Sequence, residues 1–184
     1  MATEKERMLT GEPYLADDPE LLADRHRCRL ALERLNAIGV ADPREREEVL
    51  RGLLGGLDEQ TEILSPFHCD YGYQIEIGAR SFINFGAVIL DSAPVRIGDD
   101  VQIGPGVQIV TPTHPLDPDE RRTRIESAAP ITICDDAWLA AGAIVLPGVT
   151  VGQGTVVGAG SVVTKDLPPR HLCVGSPCRP VREL

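Results

Sequence analysis

Along much of this chain an aliphatic residue recurs every six positions. The longest unbroken run is Ile133, Leu139, Val145, Val151, Val157 and Val163. Four positions after each of the first five stands a small or β-branched residue: Ala137, Ala143, Val149, Thr155 and Ser161. Upstream the same phase holds at Ile97, Ile103 and Ile109, with Val101 and Val107 four positions on. Earlier still come Ile77, Ile83 and Ile89, with Ser81, Ala87 and Ala93, and the step from Ile89 to Ile97 is eight residues. These make twelve hexads in three blocks.

A period of six fits neither a 3.6-residue helix nor the alternation of one long strand. It fits one short strand per hexad, with the aliphatic side chain inward and the small residue at a corner. Three such strands close a triangular coil, so twelve hexads predict about four coils of a parallel β-helix.

The flanks lack this beat. Residues 1–57 show helical spacing instead. Asp17 or Asp18 precedes Pro19 as a cap, and Leu21, Leu22, Leu30, Leu32 and Leu35 follow. Asp42 and Pro43 repeat the device ahead of Val49, Leu50, Leu53 and Leu54, with a Gly55–Gly56 stop. Two or three helices are expected here, packed on the first coil, because a solenoid's open end exposes backbone and apolar groups. The β-helix is expected over 58–163. Residues 164–184 carry Pro168, Pro169, Pro177 and Pro180, and are expected to cover the other end as an extended tail.

Composition narrows the function classes. Aromatics are only 4% of the 184 residues, which suits stacked aliphatic layers. The net charge of −10 argues against broad nucleic-acid or anionic-membrane binding. No run of eighteen apolar residues occurs, and the N-terminus lacks the apolar core of a signal peptide, so a cytoplasmic protein is expected. Five irregularly spaced cysteines argue against a disulfide framework. "HCD" at 68–70 has no second ligand cluster to make a metal site, and none is expected. No GxSxG elbow is present, and "GPG" at 104–106 and "GQG" at 152–154 read as repeat corners rather than phosphate loops.

The repeat breaks once at length, over 110–132, "VTPTHPLDPDERRTRIESAAPIT". Pro112, Pro115 and Pro118 stiffen the start of this excursion, and His114 lies between two of them. A long insertion in a compact fold is usually functional. Histidine is the side chain poised to move protons near neutral pH, so His114 is read as a general base.

"EKERMLTGEPYLADDPEL", "CDYGYQIEIG", "SFINFGAVILD", "THPLDP", "GAGSVVTKDLP" and "VGSPCRPVREL" occur in that order. This set resembles the maltose, galactoside and nodulation sugar O-acetyltransferases over essentially the whole chain, with the maltose O-acetyltransferase branch as its nearest likeness. The resemblance implies an all-β-dominated fold, a left-handed parallel β-helix with an N-terminal helical segment. It implies acetyl-CoA as co-substrate, a sugar hydroxyl such as that of maltose or glucose as acceptor, and no metal or acyl-enzyme. It places the catalytic base at His114, with Asn84 and Glu126 beside it. Acceptor-binding positions fall on Asp17, Asp70 and Asn84, with Phe82 as a wall. An acidic position of the galactoside branch falls on Ser92, with Asp91 adjacent, which leaves the sugar preference open. The coenzyme positions fall on Ala141, Ala159, Thr164, Lys165, Arg179 and Arg182. The last 21 residues hold four basic and two acidic side chains, as binding a phosphorylated coenzyme requires. The resemblance further implies a homotrimer with sites between subunits. Three readings stay beside it: an acetyltransferase with an antibiotic or amino-acid acceptor, a non-catalytic β-helix scaffold, and a carbonic-anhydrase-like metalloenzyme on the same coil.

Overall fold

A computed structural model describes residues 2–38 and 42–184. The hexads form three parallel faces of a triangular coil. In chain order, the first face stacks Gly56–Leu57, Ile75–Ile77, Val95–Ile97, Ile131–Ile133 and Thr150–Val151. The second stacks Glu62–Ile63, Phe82–Ile83, Gln102–Ile103, Trp138–Leu139 and Val156–Val157. The third stacks Phe67–Cys69, Ala87–Leu90, Gln108–Val110, Ile144–Val145 and Val162–Val163. The inward residues pair in register, Ile63 with Ile83, Ile83 with Ile103, Ile103 with Leu139 and Leu139 with Val157. Ile83, Ile133, Leu139, Val145, Val151, Val157 and Val163 are all fully buried. The aliphatic beat thus becomes three interior columns whose burial is the main stabilising term.

Each face carries five strands before the tail, one more than the twelve hexads predict. Leu57, Ile63 and Cys69 form a first block on the same six-residue beat, eight residues ahead of Ile77. The sequence conceals this block because Leu57 adjoins the Gly55–Gly56 helix stop and the third inward residue is a cysteine.

Most corners are made by a left-handed residue immediately before the small one. Gly106 and Gly142 take this position at φ 68° and 67°, ahead of Val107 and Ala143. A residue without Cβ enters this conformation without steric cost. Arg80, Asp100 and Asp136 do the same on another edge as non-glycine residues.

All departures from the six-residue beat before the tail lie on one edge, where the third face turns to the first. The two eight-residue steps run through 70–74 and 91–94, and the long insertion leaves this edge after Val110. Extra residues can bulge outward at a corner without breaking the ladder on either side, whereas within a strand they would shift every inward side chain.

The N-terminal helices are α1 (Glu4–Thr10), α2 (Pro19–Ala37) and α3 (Pro43–Leu53). Thr3 and Glu6 form a reciprocal capping box on α1. Asp18, not Asp17, caps α2 by accepting from Glu20 N at 2.9 Å, and Asp42 caps α3. Cys28, Leu32, Leu35, Leu50, Leu53 and Leu54 share one core with Ile63 and Phe67, closing the first coil. Leu22 and Leu30, from the same apolar run, are exposed. Met8, Tyr14, Leu21 and Tyr71 make a second, smaller core.

The C-terminal tail is not simply extended. Leu167 bridges Val151, and His171–Gly175 adds a parallel strand to the second face with Cys173 under Val157. Cys178–Glu183 returns antiparallel as a hairpin. The tail therefore continues two interior columns and covers them with its own strand. Among the described residues, no helix is long and apolar enough to cross a membrane.

Candidate active site

The insertion begins as Pro112–Thr113, passes through a short helix α4 (Pro118–Arg121), and returns as Ile125–Ala128 antiparallel to its own start. The N-terminal strand Tyr14–Leu15 pairs with the returning arm, Tyr14 opposite Glu126 and Leu15 opposite Ile125. The result is a small three-stranded sheet standing off the third–first edge. Asp117 caps α4 by accepting from Asp119 N and Glu120 N.

This sheet and α2 enclose a cleft of about 450 Å³ lined by Asp17, Leu22, Arg25, His114, Arg121, Arg124 and Glu126. His114 Nδ1 lies 3.8 Å from Glu126 Oε1, and the His114 side chain is 56% exposed. Glu126 Oε2 accepts from the Tyr14 hydroxyl at 3.0 Å. Asp17 pairs with Arg124 at 3.0 Å. Because Asp18 supplies the cap, Asp17 is left to line the cleft. Arg25 donates to the Tyr71 hydroxyl at 2.6 Å and to Ala16 O. Burial raises the Asp70 carboxyl above its ordinary range, with Arg25 opposing and Glu126 adding to the rise.

Asp91 and Ser92 are buried rather than open to the cleft. Asp91 Oδ1 accepts from Asp70 N at 3.1 Å and Tyr71 N at 2.9 Å, and its Oδ2 from Gln74 N at 3.3 Å. Burial nevertheless pushes its carboxyl up to about 7, the N–H donors pulling the other way. Asp91 thereby braces the 70–74 turn that presents Asp70.

The remaining positions sit elsewhere in the single chain. Asn84 follows Ile83 at the second–third edge, its Oδ1 accepting from Phe85 N at 2.8 Å. Phe82 points outward, half-buried, on the second face. Ala141 and Ala159 occupy the same second–third edge in the fourth and fifth coils, tied by hydrogen bonds from Gly142 N to Pro105 O and from Gly160 N to Ala141 O. Thr164 and Lys165 leave the third face at the third–first edge, and Arg179 and Arg182 lie exposed on the outer hairpin strand.

Two sets therefore emerge. Asp17, Asp70, His114, Glu126, Thr164 and Lys165 follow the third–first edge, while Asn84, Ala141 and Ala159 follow the second–third edge. The width of one face, five or six residues at about 3.3 Å each, separates them by roughly 15–20 Å.

Sequence reasoning does not single out Tyr14, Arg25, Tyr71 or Arg124. The "PYLADD" stretch around Tyr14 is visible, but its partners lie more than a hundred residues away. Cys69 is excluded as a nucleophile. It is buried 3.6 Å from Cys28 Sγ, and that thiol contact, then burial, pushes its pKa up.

A family model described as the maltose acetyltransferase hexapeptide capping motif matches residues 7–58. One described as the bacterial transferase hexapeptide, six repeats, matches residues 130–165. Nodulation protein L of Rhizobium meliloti (strain 1021) is 48% identical over 178 residues, spanning 96% of this chain and 97% of that relative. The solved structure of a maltose O-acetyltransferase from Clostridium difficile 630 matches with a TM-score of 0.97 at 40% identity, over 100% of this chain and 98% of the other. A hexapeptide-repeat acetyltransferase from Vibrio cholerae O1 biovar eltor, complexed with acetyl coenzyme A, matches with a TM-score of 0.93 at 39% identity, over 100% and 99%. The chain belongs to the hexapeptide-repeat acetyltransferase family, within the group that carries the maltose acetyltransferase capping motif. It is an enzyme of acyl transfer.

Proposed function

We propose that the protein transfers the acetyl group of acetyl-CoA to a hydroxyl of a sugar such as maltose or glucose, at sites shared between subunits of a homotrimer. The observation that carries this reading is the division of the site positions between the two edges that flank the third face. In a threefold assembly with the third faces around the axis, the third–first edge of one subunit meets the second–third edge of the next. Each groove then has His114, Glu126 and Lys165 on one wall and Asn84, Ala141 and Ala159 on the other.

The faces differ in the way this arrangement needs. Outward positions on the third face include Val88, Ile144 and Val162, half-buried already in one chain. The corresponding positions on the first face are Glu76, Arg96, Thr132 and Thr150, which suit solvent.

The groove also has the right length. From Asn84 in the second coil to Ala159 in the fifth is three coil steps, about 14 Å at about 4.8 Å per step. An extended pantetheine arm spans that length, with the thioester at the His114 end and the phosphates near Lys165, Arg179 and Arg182. Basic side chains there offset the net −10 charge locally.

His114 takes the proton of the acceptor hydroxyl as its oxygen attacks the acetyl carbonyl. Glu126, beside Nδ1, holds the ring and stabilises the imidazolium. With Asn84 Oδ1 occupied by Phe85 N–H, its Nδ2 is free to donate to the oxyanion. CoA thiolate then leaves and takes up the proton. Asp17 and Asp70 accept hydrogen bonds from the acceptor's other hydroxyls. Acetyl-CoA is an intracellular metabolite, so a cytoplasmic location belongs to the same reading.

The test mixes two inactive chains, His114→Ala and Asn84→Ala, and reassembles them. If each site draws His114 from one subunit and Asn84 from its neighbour, random assembly regenerates about one quarter of wild-type sites. Thiol release from acetyl-CoA is measured with maltose, glucose and methyl galactoside as acceptors. A mixture that stays inactive overturns the shared site, and wild-type protein inactive on all three sugars overturns the sugar acceptor.

A further inference from the structure

We infer that Tyr14 is a positioning residue of the reaction, holding Glu126 against His114 from the N-terminal segment. The inference rests on His114 acting as the base.

The geometry is a three-member chain. The Tyr14 hydroxyl donates to Glu126 Oε2 at 3.0 Å, and the other carboxylate oxygen, Oε1, lies 3.8 Å from His114 Nδ1. Engaging one oxygen of a planar carboxylate fixes where the other points. Tyr14 can act as that fixed point because it is itself immobile. It is 2% exposed, packed with Met8, Leu21 and Tyr71. Its backbone is paired with Glu126 in the antiparallel strand.

The next residues reinforce the clasp. Ala16 N donates to Arg124 O at 3.4 Å, and Asp17 pairs with Arg124 at 3.0 Å. Residues 14–17 thus grip 124–126 at both backbone and side chain. Without this grip the returning arm of the insertion would be held chiefly by its own hairpin with Pro112–Thr113, and Glu126, on the outer arm, would swing with it.

Protonation suits the role. Burial raises the Tyr14 phenol above its ordinary value, with Ser92 opposing and Glu126 adding to the rise, so the hydroxyl remains a donor across the working range. Burial also keeps water from replacing it. A half-exposed histidine on a proline-stiffened loop is thereby referenced to the rigid helical cap rather than to the loop alone. The segment that covers the first coil is also part of the catalytic frame.

The test compares wild type with Tyr14→Phe, Glu126→Ala, the double variant and His114→Ala, each assayed well below its own Tm. Thiol release from acetyl-CoA is read with the fastest acceptor among maltose, glucose and methyl galactoside. Phenylalanine keeps the ring that packs on Leu21 and Tyr71, so only the hydroxyl is removed. Tyr14→Phe is expected to lower kcat about tenfold, the scale of one hydrogen bond to a charged group, with KM for acetyl-CoA within about twofold. In the Glu126→Ala background the same change is expected to cost nothing more, because Tyr14 acts through Glu126. Wild-type kcat in Tyr14→Phe, or losses that multiply in the double variant, overturns the role of Tyr14 and leaves His114 standing as the base. Wild-type kcat in His114→Ala overturns the base and the role of Tyr14 with it.

Discussion

Replacing Asp91 with asparagine is expected to change how the stability of the protein depends on pH. Asp91 is fully buried and its two oxygens accept three backbone N–H groups from the 70–74 turn. Burial, the largest cause, pushes its carboxyl from the ordinary 3.8 up to about 7. The folded protein therefore keeps this proton to near pH 7, while the unfolded chain releases it near pH 4. The stabilising contribution is full below pH 4 and is lost as pH rises to 7. Between pH 5 and pH 8 the loss covers about two pH units at about 1.4 kcal/mol each, on the order of 3 kcal/mol.

An asparagine side chain does not titrate, so Asp91→Asn lacks this loss. Asparagine retains an acceptor for Asp70 N and Tyr71 N but turns an amide N–H₂ toward Gln74 N, so Asp91→Asn is expected to be less stable than wild type at pH 5. The gap between them should then narrow or reverse by pH 8. Urea unfolding followed by circular dichroism at one fixed subunit concentration measures both proteins across that range. Taking the difference between them cancels the titration of groups that do not interact with Asp91. A difference constant to within about 0.5 kcal/mol from pH 5 to 8 would refute the assignment of a buried, late-titrating carboxyl. Because Asp91 shapes the turn carrying Asp70, the variant is also expected to raise KM for the acceptor more than KM for acetyl-CoA.

Three further outcomes follow from the site and its frame. His114→Ala is expected to lower kcat by about 10²–10⁴-fold with Tm unchanged, since His114 is 56% exposed and fills no interior column; kinetics and a thermal melt decide it. Gly104→Ala would bring a Cβ to 2.7 Å from Ala141 N, so it is expected to lower Tm and to raise KM for acetyl-CoA by displacing the second–third edge. Changing Arg179 and Arg182 together to alanine is expected to raise KM for acetyl-CoA with kcat nearly unchanged, because these exposed side chains lie far from the proton transfer; an unchanged KM counts against them as phosphate ligands.

The six-residue aliphatic beat by itself determined the coil, because side chains that must face inward at every sixth position suit neither a helix nor one long strand. Cap residues before prolines marked α2 and α3 for a similarly local reason: a side-chain oxygen satisfies the N–H groups that a helix start leaves open. His114 was legible because it stands where the beat fails. The first block, Leu57, Ile63 and Cys69, was lost to a cysteine and a neighbouring helix stop. What only the tertiary structure decided was which corner each interruption occupies. The two eight-residue steps and the long insertion are far apart in sequence, yet all fall on one edge, where they gather Asp70, Asp91, Ser92 and His114. The N-terminal strand then brings Tyr14 to Glu126 across 112 residues. A periodic pattern records which way a side chain faces and carries no record of its partner. Contacts between the helical cap, a corner and an inserted arm are set by how separate elements stack, so Asp91's burial and Tyr14's hold on Glu126 exist only once the coil has closed.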